Sequence, residues 1–202
     1  MKRLLALLLF GGLLFGAQGD VQKNKAPKKK EARFEVTTME GQKLHFVITK
    51  NHVVCEEAKD KALILDFFGK HCPPCRRMIP VLGKIQKEMA DKVLIVGLHV
   101  QEPLTPQEYA ELKSMGITYP VVDMGANREN MLFVEYLGYA TGWNSAIPYM
   151  LFFDRYGRYR ANHYGIVSYD VLRQTIEQLT QPDQPKTPAK EPKERKKSGA
   201  YM

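Results

Sequence analysis

Cys72-Pro73-Pro74-Cys75 sets two thiols three residues apart. The pair follows the apolar run Ala62-Leu63-Ile64-Leu65-Asp66-Phe67-Phe68 and precedes an amphipathic run through Met89. At a strand-to-helix junction, cysteines at this spacing can close into a disulfide or open into a dithiol. The first sulfur then sits at the helix N-terminus. Free backbone N–H groups and the helix dipole favour a thiolate there. This is the geometry of a redox site. Asp66 is a second residue of chemical interest, because it interrupts an otherwise apolar strand and is expected to be buried.

The elements that would position these groups follow from hydrophobic periodicity. Phe34 to Thr38 and Lys43 to Thr49 flank Met39-Glu40-Gly41-Gln42 and read as a β-hairpin. Residues 62–68 are continuously apolar apart from Asp66, as in a central strand covered on both faces. Met78, Leu82, Ile85 and Met89 recur at helical spacing. Residues 93–100 form a second buried strand. Thr105 caps a helix begun by Pro106 and ended by Gly116. Residues 119–123 are a short strand, and Asn127 to Tyr136 a helix. Tyr149 to Asp154 and Tyr159 to His163 are the last strands, with Gly157 at their turn. Ser168 caps a final helix striped by Val171, Leu172, Ile176 and Leu179. This alternation predicts an α/β sandwich with a mixed sheet.

The ends of the chain bound its compartment and partners. Lys2 and Arg3 precede twelve apolar residues, Leu4 to Phe15, too few for a typical membrane span. Ala17-Gln18-Gly19 then makes a small-x-small cleavage pattern. Residues 1–19 are expected to be a signal peptide, cleaved or kept as an anchor, and the compartment a bacterial periplasm or similar oxidising space. The chain carries a net charge of +8 and three cysteines. The surplus charge lies in the leader, in a basic linker at 20–33 and in a Pro/Lys-rich tail at 181–202. The body, 34–180, is near neutral, which argues against a nucleic-acid partner. The basic ends are suited to weak contact with an anionic membrane surface. Three cysteines do not make a disulfide scaffold. Cys55, left over, reads as a buried free thiol.

The run Leu65 to Pro80 resembles the active-site segment of the thioredoxin superfamily. Asp66 stands six residues before the first cysteine of the CxxC, and Pro80 five after the second. Ala146-Ile147-Pro148 resembles the family's cis-proline loop, and Phe152 to Arg158 with Gly165 its closing hairpin. The N-terminal hairpin, the strand-helix insert at 93–123 and the export signal are most similar to the periplasmic TlpA/ResA-type reductases. The resemblance covers about residues 34–180. It implies a thioredoxin-like three-layer sandwich with a mixed central sheet.

The resemblance and the residue chemistry together assign roles. Cys72 is expected to attack a substrate disulfide as thiolate, and Cys75 to resolve the mixed disulfide. Asp66, its pKa raised by burial, would take the Cys75 proton. The lysine that thioredoxins often pair with this acid is missing from Gly97-Leu98-His99. Ile147 and Pro148 would bind an incoming peptide as an added strand. Trp143 lines that groove or packs in the core. His71, where relatives carry tryptophan, either lowers the Cys72 pKa or is a plain exposed side chain. Pro73 and Pro74 offer no N–H to the thiolate. They should leave it less stabilised and the couple more reducing.

The expected activity is therefore a thiol-disulfide oxidoreductase, a reductase of exported protein disulfides. No cofactor is expected beyond the redox-active Cys72–Cys75 disulfide, and no metal. The TlpA/ResA resemblance implies apocytochrome c as a substrate class and a membrane thiol-relay protein as electron donor. Three other readings stand beside it. One is a DsbA-like disulfide oxidant or isomerase. Another is a Cu(I)-handling protein using Cys72, Cys75 and a nearby His or Met. The third is a redox-silent peptide-binding module.

Overall fold

The computed structural model describes residues 31–182. The expected leader, the linker up to residue 30 and the tail from residue 183 lie outside these residues. None of the described helices is long and apolar enough to cross a membrane.

Five strands form the central sheet: β4 (Ala62–Phe68), β5 (Val93–His99), β6 (Val121–Asp123), β7 (Tyr149–Phe153) and β8 (Tyr159–Tyr164). Their order is β6-β5-β4-β7-β8. β4, β5 and β6 are parallel, while β7 and β8 run antiparallel to their neighbours, so the sheet is mixed as expected. Every residue of β4 is buried, Asp66 included.

Alternation along the strands sorts side chains to two faces. On one face Ala62, Ile64 and Phe68 pack with α1 (Pro73–Glu88), α2 (Pro106–Ser114) and α4 (Tyr169–Leu179). On the other, Leu63, Leu65 and Phe67 pack with α3 (Arg128–Thr141) and the N-terminal strands. The result is three layers. Phe133 of α3 lies between Phe34 and Phe46, with ring centroids 5.5 and 4.4 Å away, and ties the N-terminal strands to this second layer.

The N-terminal unit is larger than the expected hairpin. β1 (Ala32–Thr37) and β2 (Lys43–Thr49) pair as anticipated, but β3 (His52–Cys55) adds a third antiparallel strand. Its four residues fall below the length at which alternation is persuasive, although Val53 and Cys55 do point inward and Val54 outward. Helix α3 also outruns its expected end at Tyr136. Gly138 does not stop it; a Cβ there would come within 3.0 Å of the Trp143 ring, so the glycine serves close packing. Gly142, at φ 68°, provides the left-handed cap instead. The Thr105 cap is present as a full capping box, with Thr105 Oγ1 accepting from the Glu108 N–H and the Glu108 carboxylate accepting from the Thr105 N–H.

Candidate functional site

Strand β4 ends at Phe68, and Gly69-Lys70-His71 carries the chain into α1. Cys72 is the N-cap of that helix, with Pro73 and Pro74 in its first two positions. Proline is suited to a first turn, where its missing N–H has no intrahelical partner to lose. The Cys75 N–H is thus the first donor of the turn, and it points at Cys72 Sγ from 3.2 Å. No acidic residue stands in this turn to oppose the dipole. The helix continues through Pro80 to Glu88.

Cys72 and Cys75 are disulfide-bonded, with Cα atoms 5.2 Å apart. Cys72 keeps 7 % of its surface and Cys75 1 %, so the N-cap sulfur is the one a partner can reach. The peptide bond Ile147–Pro148 is cis. The Ile147 carbonyl oxygen lies 3.8 Å from Cys72 Sγ, which brings this loop to the sulfurs. Beyond it the Pro148 carbonyl is already engaged by the Gly165 N–H.

Asp66 sits between Ile64 and Phe68 on the face of β4 that α1 covers. Burial pushes its carboxyl up to about 7, and its Oδ1 has no hydrogen-bond partner among the described residues. Across the sheet Asp66 is in register with Gly97. A Cβ on Gly97 would lie 3.0 Å from both the Phe68 and Tyr119 rings. The space a longer side chain would need is filled by aromatics, so no base stands opposite the acid.

Two expected site residues lie elsewhere. Trp143 packs against Phe67, ring centroids 4.7 Å apart, in the cluster on the sheet face away from α1. Its indole N–H donates to the Ala146 carbonyl at 2.8 Å, so it braces the loop before Pro148 rather than facing the sulfurs. His71 is exposed, and its backbone N–H donates to Gln101 Oε1 at 2.8 Å. Pro73 is exposed and Pro74 half-buried beside the disulfide. Cys55 is buried, and its thiol donates to Glu57 Oε2 at 3.2 Å. Among the described residues no group of three or more His, Cys, Asp or Glu side chains could hold a metal ion.

Sequence reasoning missed the supports of the loop entering α1. Lys70 is largely buried and pairs with Glu108 at 2.8 Å. His99 and Asp123 are buried and bonded to each other at 3.1 Å. A histidine and an aspartate ending adjacent strands were the available signal.

The thioredoxin family model matches residues 45–123, the stretch that runs from β2 through the CxxC to β6. Residues 45–123 are thus similar to thioredoxins. A thioredoxin from Rickettsia typhi is 39% identical over 61 residues, which is 30% of this chain and 55% of that protein. The thiol-disulfide oxidoreductase ResA of Halalkalibacterium halodurans is 35% identical over 74 residues, 35% of this chain and 41% of its own. The matched part thus spans about half the length of these curated relatives. Among solved structures, a thiol:disulfide interchange protein of the thioredoxin family from Chlorobium tepidum TLS aligns with TM-score 0.59 and 26% identity. That alignment covers 76% of this chain and 98% of the other, so the thioredoxin-like fold extends over the described domain well beyond the matched stretch.

Proposed function

We propose that this chain is a thiol-disulfide oxidoreductase that reduces disulfides in exported proteins. The observation that carries the reading is a disulfide at the N-terminus of α1 whose more exposed sulfur, Cys72, faces a peptide carbonyl, with a buried acid, Asp66, on the face of β4 that α1 covers. In the reduced form Cys72 thiolate attacks one sulfur of a substrate disulfide and expels the other as thiolate. Cys75 gives its proton to ionised Asp66, attacks Cys72 Sγ and displaces the second substrate sulfur. The substrate gains two electrons and two thiols. The chain is left with the Cys72–Cys75 disulfide, and a dithiol donor must reduce it again.

The reducing direction is supported by Pro73 and Pro74. They withhold two N–H groups that would otherwise stabilise the thiolate. The periplasm is supported by the charged, apolar and small-x-small order of residues 2–19. Disulfide-bonded exported proteins are the proposed substrates, apocytochrome c among them by the ResA likeness, with a membrane thiol-relay protein as donor.

Trapping tests this directly. A Cys75→Ser variant retains the attacking sulfur and loses the resolving one. Expressed in its native compartment, it should accumulate adducts through Cys72 that thiol reductants release. A Cys72→Ser Cys75→Ser variant should show none. Failure of the single variant to form any reductant-sensitive adduct overturns the reading.

A further inference from the structure

Two residues ahead of Cys72, Lys70 is held on three sides. Its N–H donates to His99 Nε2 at 3.3 Å, and its carbonyl accepts from Arg76 Nη1 at 3.3 Å. Its ammonium reaches Glu108 Oε1 at 2.8 Å and the Pro103 carbonyl at 3.3 Å. The Cys72 N–H in turn donates to the Gly69 carbonyl at 3.2 Å, so the whole entry to α1 is pinned.

His99 is the member of this clamp whose ring bonds both the Lys70 peptide and a side chain of the next strand. It is fully buried at the end of β5, with the Phe68 ring at its edge. Its Nδ1 stands 3.1 Å from Asp123 Oδ1. Asp123 also accepts from the Leu104 N–H at 2.9 Å and the Gly125 N–H at 3.3 Å. Burial alone would raise the Asp123 carboxyl, but the His99 and Leu104 bonds hold it below its ordinary value. An ionised carboxylate only accepts, so Nδ1 carries the ring proton. The Lys70 N–H only donates, so Nε2 is bare. One neutral tautomer satisfies both partners. A second ring proton would aim N–H against N–H.

We propose that His99 is a positioning residue for Cys72: its neutral ring, oriented by Asp123, fixes the Lys70 peptide and so the entry to α1, and its protonation opens the clamp. The proposal rests on Cys72 being the reactive thiol. The charged groups of the clamp are Asp123 on β6, which bonds the ring, Lys70 before α1, Arg76 on α1 and Glu108 on α2, the last two bonded to Lys70. Asp66 and Tyr119 lie further along the same sheet face. Of these, Asp123 alone bonds a ring nitrogen through its side chain. Acidification therefore loosens residues 69–71 and moves Cys72 from its place against Ile147. This makes a reversible acid switch on thiol reactivity.

The test uses the reduced full chain. Nitrogen NMR of the histidine rings and of the Lys70 amide is followed against pH. Alkylation of Cys72 by iodoacetamide, assigned by peptide mass and divided by the thiolate fraction, is measured in parallel. The wild type should show a bare Nε2 at neutral pH and a Lys70 amide shift with the midpoint of His99. Its normalised alkylation rate should fall about fivefold below that midpoint, as expected for losing one such hydrogen bond. His99→Gln supplies an acceptor that does not titrate, and should keep the neutral-pH rate while losing the acid step. His99→Leu should show the low rate at every pH. A ring proton on Nε2, a Lys70 amide indifferent to His99, or a His99→Leu variant with wild-type rate and profile overturns the proposal. If His99→Leu does not fold, the wild-type spectra and His99→Gln decide it. A wild type that shows the switch but leaves protein disulfides intact overturns the reductase reading alone.

Discussion

Asp66 on β4 faces Gly97 on β5 in register, and the carboxylate has no cation opposite it. The Gly97 site is closed by the Phe68 and Tyr119 rings, and the Tyr119 hydroxyl, like Asp66 Oδ1, is buried without a hydrogen-bond partner among the described residues. The acid is tuned by desolvation and not by an ion pair. This makes it a base only when the surrounding pH is near neutral or above.

Asp66→Asn should therefore stabilise the protein at high pH and impair it as a catalyst. The folded-state pKa, about 7, lies above the ordinary carboxyl value of 3.8. The native state accordingly disfavours ionisation. The penalty is absent below about pH 4, grows as pH rises toward 7 and is constant above. Urea unfolding of the oxidised chain should show the variant more stable by roughly 2–4 kcal/mol at pH 8 and unchanged at pH 3.5. Release of substrate from the mixed disulfide should slow in the variant. In the wild type it should slow as pH falls below about 7.

Pro74→Ala should make the couple more oxidising. The second helical position would regain an N–H at the N-terminus that Cys72 caps. An added donor favours the thiolate and so the reduced form. Equilibration with glutathione should give a potential higher by about 30 mV, a tenfold change in the equilibrium constant. The Cys72 thiol pKa should fall with it. An unchanged potential would remove the proline argument for a reductant.

Glu108→Ala should destabilise the domain in a pH-dependent way. The Lys70 ammonium, then the Thr105 N–H and hydroxyl, hold this carboxyl down at about 2 from an ordinary 4.5. Its contribution is complete above pH 4.5 and is lost as pH falls toward 2. Loss of the capping box should lower the thermal midpoint by roughly 2–4 °C at pH 7. The gap between variant and wild type should close as acid approaches pH 2.

Cys55 should be silent to thiol reagents in the folded protein. Burial pushes its thiol far above the ordinary value, with the Glu57 carboxylate adding to the shift. Disulfide-exchange reagents at pH 8 should modify Cys72 first in the reduced chain. Cys55 should react only after denaturation, as read by peptide mass. Stoichiometric labelling of native Cys55 would contradict its burial.

The central architecture was legible because its signals are local. Continuous apolar runs marked β4 and β5, and caps at Thr105 and Ser168 fixed two helix starts where the structure has them. β3 was missed because four residues carry too little periodicity to stand out. α3 runs past Tyr136 to Thr141 through Gly138, whose close packing on Trp143 is a contact no local pattern reveals. At the site, Cys72, Cys75, Asp66 and Pro148 could be picked out from spacing and a family likeness. The clamp of Lys70, His99, Asp123 and Glu108 could not, since its members come from a loop, two strands and a helix that only the folded domain brings together. Trp143 was ambiguous for the same reason, because sequence distance to Pro148 does not reveal which sheet face an indole takes.

The lone tryptophan of the chain hydrogen-bonds one residue ahead of Ile147 and lies against Phe67 of the central strand. Its fluorescence is consequently a built-in optical probe of the Ala146–Pro148 loop. Occupancy of that loop can be followed by emission in the unlabelled protein, with no competing indole to subtract.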